Sequence, residues 1–201
     1  IKIKQKLDEN INVLFIGLPC HVAGLKGYLK KEYNNLVTID LICHGVSSES
    51  YLKQHINYIE EKCSKKADNV TFREENEKTL RVYSDNKIIY EKQGCLDTYY
   101  RGFLTGLFFR DSCYNCNFST INRVSDLTLG DFWGLGKEIP FNHSIENGVS
   151  LVLVNSVKGN QLIEQARDKL FLEQRTLEEA TKYNKQLSNP RKLCRWNCHR
   201  K

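Results

Sequence analysis

The predicted fold of this chain follows from two apolar stretches, Val13-Leu14-Phe15-Ile16-Gly17-Leu18-Pro19-Cys20 and Leu36-Val37-Thr38-Ile39-Asp40-Leu41-Ile42-Cys43. Each predicts a buried β-strand, and the residues between them, about 21–33, are long enough for one helix. When the two strands of such a strand–helix–strand unit are parallel, the crossover is right-handed in nearly all cases. The sequence therefore predicts an α/β fold with a parallel core.

Further segments complete the predicted fold. Short strand-like runs between residues 69 and 92, with a turn at Ser84-Asp85-Asn86, predict a small antiparallel β meander. Strands are predicted at 126–129 and 149–155, and helices at about 49–65, 96–109, 158–171 and 176–187. We therefore expect a mixed, largely parallel sheet flanked by helices. The expected domain covers residues 1–190, with the meander as an insertion at about 69–92, and a basic cysteine-containing tail follows at 191–201.

The composition restricts the class of protein. The 201 residues are 40% apolar and 27% charged, which are ordinary values for a soluble globular domain. No apolar run approaches the roughly 20 residues that span a bilayer. The net charge of +6 is divided among separate patches, so we expect a solvated surface and no nucleic-acid site. The eight cysteines without a secretory signal favour a reducing, cytoplasmic location. Since the sequence contains no methionine, we expect an additional segment upstream.

Four cysteines are candidate metal ligands. Cys20 and Cys43 are predicted at the carboxyl ends of parallel strands, the edge where open α/β sheets bind their ligands. Cys20 also opens a helix, where unpaired N–H groups and the helix dipole favour a thiolate. Cys113 and Cys116 form a Cys-x-x-Cys pair, in which two thiolates can bind one centre. Four thiolates would make a soft-metal or iron–sulfur site, and zinc satisfies the same count.

The other cysteines have weaker assignments. Cys63 falls on the apolar face of the predicted helix at about 49–65 and is therefore interpreted as a core residue. The group Cys194, Cys198 and His199 is either a second ligand set or part of a frayed basic tail. Cys95 is given no role.

Two further groups are candidate functional residues. Gly130-Asp131-Phe132-Trp133-Gly134 follows a strand, and its glycines and aromatic rings could admit a flat ligand or simply form a tight turn under an aromatic cap. His44, beside Cys43, is a candidate proton donor, ligand or surface imidazole.

Four motifs in this order resemble a known family. They are Gly17-Leu18-Pro19-Cys20-His21-Val22-Ala23-Gly24-Leu25, Asp40-Leu41-Ile42-Cys43-His44-Gly45-Val46-Ser47-Ser48, Cys113-Tyr114-Asn115-Cys116 and Ser125-Asp126-Leu127-Thr128-Leu129-Gly130-Asp131-Phe132-Trp133-Gly134. Together they resemble the beta subunit of coenzyme F-420 hydrogenase/dehydrogenase, and more narrowly its C-terminal domain. The resemblance covers roughly residues 13–154.

The resemblance implies part of an iron–sulfur flavoprotein oxidoreductase that carries FAD and at least one 4Fe-4S cluster. It implies that the cluster ligands are Cys20, Cys43, Cys113 and Cys116, and that Gly130, Asp131 and Trp133 lie near the flavin or the cluster. His44 is then the candidate catalytic residue, as a proton donor. The expected partners are a redox protein or an upstream ferredoxin-like segment, and a small-molecule hydride acceptor or donor.

The chain departs from the family pattern at two places. Family members commonly have Thr-Pro-Cys-Gln at Leu18-Pro19-Cys20-His21, and Pro-Ser at Ser47-Ser48, so contacts beside the proposed site are expected to differ. Two alternatives remain open: a zinc-stabilised partner-binding domain without a redox role, and a metal-free relative that binds neither cluster nor flavin.

Overall fold

The computed structural model describes residues 1–73 and 77–193. The chain divides into two compact units, each built from two segments of sequence. The first unit combines Ile1–His44 with Cys116–Pro190, and the second contains Gly45–Asn115 and the described residues after Pro190. The expectation of one domain over residues 1–190 stays a prediction.

The elements of both units follow in chain order. They are α1 (Lys2–Asp8), β1 (Val13–Gly17), α2 (Pro19–Leu29), β2 (Leu36–Leu41), α3 (Glu49–Cys63), β3 (Asn69–Thr71), β4 (Thr79–Ser84), β5 (Lys87–Gln93), α4 (Thr98–Thr105), α5 (Asp111–Tyr114), β6 (Leu127–Asp131), β7 (Ser150–Val154), α6 (Val157–Ala166) and α7 (Leu177–Lys182). Short 3-10 turns lie at Arg167–Lys169 and Lys185–Leu187.

The first unit is built on a four-stranded sheet in the order β1-β2-β6-β7. Strand β2 pairs in parallel with both β1 and β6, whereas β7 pairs antiparallel with β6. The sheet is therefore mixed and largely parallel, as the sequence predicts. The strand–helix–strand unit is also confirmed, since α2 connects the parallel strands β1 and β2.

Two clusters of apolar side chains stabilise the first unit. One joins helices α1 and α2 to the start of β2, and its buried members are Leu7, Leu29, Tyr33 and Leu36. The other joins β7 to the region of α7, and its buried members are Leu151, Ala180 and Leu187. Helix α1 was not among the predicted elements, and it contributes the buried Leu7 to the first cluster.

The second unit contains the antiparallel sheet β3-β4-β5, which confirms the predicted meander. Strands β4 and β5 are joined through Asp85 and Asn86, whose φ values of 50° and 58° are left-handed, as tight hairpin turns require. Helix α4 is shorter than predicted. Asp97 caps its start by accepting a hydrogen bond from the Tyr100 N–H, and Gly106, with a φ of 75°, ends it.

Candidate functional site

Cys20 and Cys43 lie beyond the ends of two paired strands. The last two residues that pair between β1 and β2 are Gly17 and Asp40, and each cysteine lies three residues further along the sequence. Cys20 is the second residue of α2, after Pro19, and its side chain is exposed, whereas Cys43 is half-buried. Because the strands are parallel, both cysteines follow the same edge of the sheet. The two cysteines thus follow the carboxyl ends of parallel strands, as the sequence predicts, while their role as ligands stays a prediction.

Strand β6 ends at the same edge. Its Leu129 pairs with Leu41, so Asp131 and Cys43 each lie two residues beyond the last pair between β2 and β6. The Asp131 side chain is exposed, and Trp133, two residues further on, has an exposed fraction of 52%. The strand is longer than the predicted 126–129, so Gly130 and Asp131 are its last residues and Trp133 follows it, at the same sheet edge as Cys43.

The glycines of this segment are required by the protein's own side chains. A Cβ added to Gly130 would lie 2.6 Å from Cδ1 of Ile42. Gly134 has a φ of 80°, and its added Cβ would lie 2.1 Å from Cδ2 of Tyr183. Packing within the first unit thus explains both glycines, which gives the tight-turn interpretation direct support.

Cys113 and Cys116 lie on either side of the division between the units. Cys113 belongs to the short helix α5, where a loop was predicted, and its N–H donates to the Arg110 carbonyl at 2.8 Å. Cys116 begins the second segment of the first unit. Both side chains are half-buried.

Among residues 1–73 and 77–193, no group of three or more His, Cys, Asp or Glu side chains is close enough to hold a metal ion. The four-cysteine site therefore stays a prediction. In donor chemistry the set fits an iron–sulfur cluster, whose usual ligands are four cysteine thiolates. Cys194, Cys198 and His199 lie outside the described residues.

His44 is the last residue of the first segment of the first unit, and its side chain is half-buried. Gly45 follows with a φ of 125°, a backbone conformation that favours glycine and lets the chain leave the strand sharply. An added Cβ there would lie 2.5 Å from the ring of Phe109. The proposed proton-donor role of His44 stays a prediction.

Sequence reasoning missed a buried ion pair between Arg123 and Asp40. Nη2 of Arg123 donates to Oδ1 of Asp40 at 2.9 Å, and the two side chains are 2% and 0% exposed. The second carboxylate oxygen, Oδ2, is buried and has no hydrogen-bond partner among the described residues. A carboxylate inside an apolar strand needs a cation or several donors, so Asp40 within Leu36–Leu41 indicated that a buried polar partner exists, though not which one.

The remaining Arg123 donors reach two other segments. Nη1 donates to the Phe118 and Thr120 carbonyls at 2.8 and 3.3 Å, and Nε donates to Oγ1 of Thr128 at 3.1 Å. Nη2 additionally reaches the Leu41 carbonyl at 3.2 Å. One side chain thus connects β2, β6 and the residues that follow Cys116.

Asp126 makes a comparable connection just before β6 begins. Its Oδ2 accepts from the N–H and Oγ1 of Thr38 at 2.7 and 2.8 Å, and its Oδ1 accepts from Oγ of Ser156 at 2.6 Å. Burial raises the pKa of Asp126, but these hydrogen bonds outweigh burial and hold it below its usual value. Asp126 therefore stays ionised and ties β2 to the start of α6.

Arg175 holds the connection between β6 and β7. Its guanidinium, 8% exposed, donates to the carbonyls of Ile139 and Pro140 at 3.3 and 2.8 Å and pairs with Glu179 at 3.5 Å. The first half of this connection is therefore anchored to α7.

A buried polar cluster lies within the second unit. Oδ2 of Asp97 meets Nε2 of His55 at 2.8 Å and accepts from the Tyr90 hydroxyl at 2.7 Å. Burial raises the pKa of Asp97, but bonds from His55, the Tyr100 N–H and Tyr90 hold it below its usual value. For Tyr90, burial and its bond to Asp97 raise the pKa. Asp97 thereby connects α3, β5 and α4, a stabilising role.

One solved structure is similar to this chain. It is a chain of the F420-reducing [NiFe] hydrogenase complex from Methanosarcina barkeri, with 13% identity and a TM-score of 0.43. The match covers 87% of this chain and 58% of the hydrogenase chain, so this chain spans less than two thirds of the length of that chain.

A comparison with curated proteins gave no significant match. No helix in the described residues is long and apolar enough to cross a membrane.

The sequence also matches a family model. The model describes the C terminus of the beta subunit of coenzyme F420 hydrogenase/dehydrogenase, and the match covers residues 11–180. It includes all four predicted cysteine ligands and the segment after β6. The chain belongs to this family, the C-terminal regions of such beta subunits.

Proposed function

We propose that this chain is the C-terminal part of a cytoplasmic iron–sulfur flavoprotein oxidoreductase. In this proposal Cys20, Cys43, Cys113 and Cys116 hold a 4Fe-4S cluster, and the protein couples hydride chemistry on FAD to electron transfer through that cluster. The observation that carries the proposal is the position of Cys20 and Cys43, each three residues beyond the paired Gly17 and Asp40, in a chain of this family. Ligands of open α/β sheets bind at this edge.

In this proposal each predicted site residue has its own role. The thiolates hold the cluster, which supplies one-electron transfer, while FAD supplies two-electron hydride chemistry. Trp133 offers an indole ring on which a flat cofactor can pack, and Asp131 offers exposed carboxylate oxygens to a cofactor's donors. Gly130 keeps the end of β6 close to β2. His44 would exchange a proton with the substrate.

The partners follow from the same proposal. A small-molecule hydride acceptor or donor reacts at the flavin. A redox protein, or a ferredoxin-like segment upstream of this chain, exchanges electrons with the cluster. The family description, a beta subunit, supports assembly with other subunits.

Anaerobic reconstitution with iron and sulfide tests the cluster. We expect broad visible absorption and about four iron ions per chain in the wild type, both lost in Cys113→Ser. The matched control is Cys95→Ser, which changes an exposed cysteine without an assigned role and should keep the cluster. A colourless protein with stoichiometric zinc would instead identify the zinc-stabilised partner-binding domain, and a metal-free wild type would refute the cluster.

A separate titration tests the flavin. FAD added to the reconstituted wild type should bind with a change in its visible spectrum, and Trp133→Ala should weaken binding about tenfold or more through the lost ring contact. Equal affinity in both proteins would refute the assignment of Trp133 to the flavin.

A further inference from the structure

Arg123 contacts segments adjacent to two of the proposed ligands. The carbonyls of Phe118 and Thr120, which it binds through Nη1, lie two and four residues after Cys116. Asp40 and Leu41, which it binds through Nη2, lie three and two residues before Cys43. All of these residues belong to the first unit. The guanidinium of Arg123 therefore bridges the segment that follows Cys116 and the segment that precedes Cys43.

The chemistry of this bridge requires arginine. A guanidinium presents its donors in a fixed planar fork, and all three of its nitrogens have acceptors in this structure. Lysine has a single nitrogen on a flexible stem and cannot reach three segments at once. The Arg123 side chain is 2% exposed, so water cannot replace the hydrogen bonds that a substitution would remove.

The segment after Cys116 has little other local support. It contains no helix or strand between α5 and β6. Its own hydrogen bonds include that from the Ser119 N–H to the Cys116 carbonyl at 3.3 Å and that from the Asn122 N–H to Oγ1 of Thr120 at 3.2 Å, both long. The shorter Arg123 bond to Phe118, 2.8 Å, is thus a main tie of this segment to the sheet.

We propose that Arg123 is a positioning residue that fixes Cys116 relative to Cys43 before any cluster is bound. The inference rests on the proposed function, because fixing two cysteines matters chemically only if they serve one centre. Arg123 touches neither cofactor nor substrate in this proposal. It acts through the backbone on either side of the ligands, and this arrangement reduces the ordering that cluster binding would otherwise require.

Asp126 provides a matched control. It is also buried and charged, and it also ties β2 to neighbouring elements, through Thr38 and Ser156. Unlike those of Arg123, these side-chain hydrogen bonds reach neither residues 116–122 nor residues 41–43. Asp126→Asn should therefore loosen the same sheet without releasing Cys116.

The experiment compares Arg123→Lys, Asp126→Asn and the wild type. The first readout uses the metal-free protein: the rate at which iodoacetamide alkylates Cys116, resolved by peptide mass spectrometry, with the exposed Cys95 as internal reference. Arg123→Lys should raise the Cys116 rate about tenfold relative to Cys95, and Asp126→Asn should leave the ratio near that of the wild type. The second readout is iron content and visible absorption after reconstitution, which should fall in Arg123→Lys only.

The outcomes separate the two proposals. An unchanged Cys116 rate in Arg123→Lys, or an equal rise in Asp126→Asn, would overturn the positioning role even if the wild type binds a cluster. A wild type that takes up no iron would overturn the proposed function, while the alkylation ratio still decides whether Arg123 fixes Cys116. Should Arg123→Lys not fold, Thr128→Val removes the acceptor of Nε and should give a smaller change of the same sign. It also removes the bonds of Oγ1 to Asn155 and Ser125, so Asn155→Ala serves as its control and should leave the Cys116 rate unchanged.

Discussion

Two glycine-to-alanine substitutions in the first unit should change its stability in opposite directions. Gly159 lies in helix α6, where an added Cβ would lie 2.2 Å from the Asp126 carbonyl oxygen. Gly27 lies in helix α2, where an added Cβ would meet no atom within 4 Å. Both changes add one methyl group to a helix, so only the surroundings differ.

The magnitudes follow from these distances. Alanine is favoured over glycine within a helix by roughly 0.5–1 kcal/mol, which is the expected gain for Gly27→Ala. At Gly159 the obstacle is a backbone carbonyl that also accepts the Asn155 N–H at 2.9 Å, so α6 must move by about an ångström. Overpacking of this kind costs about 1–3 kcal/mol. With the helix gain subtracted from a cost at the upper end, we expect a net loss of about 2 kcal/mol.

Urea denaturation followed by the fluorescence of Trp133 measures both effects. Trp196→Phe in all variants removes the other tryptophan, so that the signal reports the first unit. The urea concentration at the denaturation midpoint should rise for Gly27→Ala and fall for Gly159→Ala. The dependence of the unfolding free energy on urea concentration should stay unchanged. Stabilisation of both variants, or the same loss in both, would refute the packing of α6 against the start of β6.

Other predictions concern the buried carboxylates and their donors. The pKa values of Asp97 and Asp126 are lowered in the folded protein, so their contribution to stability is complete above pH about 4 and is lost as the pH falls further. Urea denaturation at several pH values between about 3 and 7 measures this loss. The free energy of unfolding of Asp126→Asn should decline less at low pH than that of the wild type. Tyr90→Phe should lower the free energy of unfolding by about 1–2 kcal/mol, since its hydroxyl donates to buried Asp97; no measurable loss in urea would contradict this. Ser156→Ala should cost about 1–2 kcal/mol by thermal or urea unfolding, because it removes the cap of α6 and a donor to Asp126; a Gly at the same position provides the comparison for backbone effects.

The parallel core could be predicted from local sequence. Strands β1 and β2, Val13–Gly17 and Leu36–Leu41, begin where the two apolar stretches begin and end before their cysteines. Both are continuous apolar runs, and the segment between them fits only a crossover helix, so topology follows from length. The hairpin at Asp85 and Asn86 was predictable for a similar reason, because these residue types adopt left-handed φ.

The polar connections could not be predicted in the same way. Arg123 and Asp40 are separated by 83 residues, and nothing local indicates which cation a buried carboxylate will meet. The packing reason for Gly130 and Gly134 was likewise hidden, since it depends on the side chains of distant Ile42 and Tyr183. The sequence indicated which residues belong to the candidate edge, but the forces that hold that edge together are long-range.

The ends of the helices were also difficult to predict from the sequence. The apolar pattern of α4 continues past Thr105, yet the helix stops there because Gly106 adopts a left-handed conformation. Similarly, Asp111–Tyr114 forms a single helical turn at the Cys-x-x-Cys pair, where polar residues predicted a loop. Periodicity identifies a helix, while capping decides its length.

The antiparallel pairing of β6 and β7 has an evolutionary consequence. The connection over residues 132–149 leaves the sheet and returns to it at the edge that Cys20 and Cys43 follow. Arg175 anchors it at Ile139 and Pro140, and residues 142–148 are all exposed. Insertions there would lengthen a surface loop while both strands keep their register. Related chains can therefore diversify what approaches this edge by changing one loop, with the sheet beneath it unchanged.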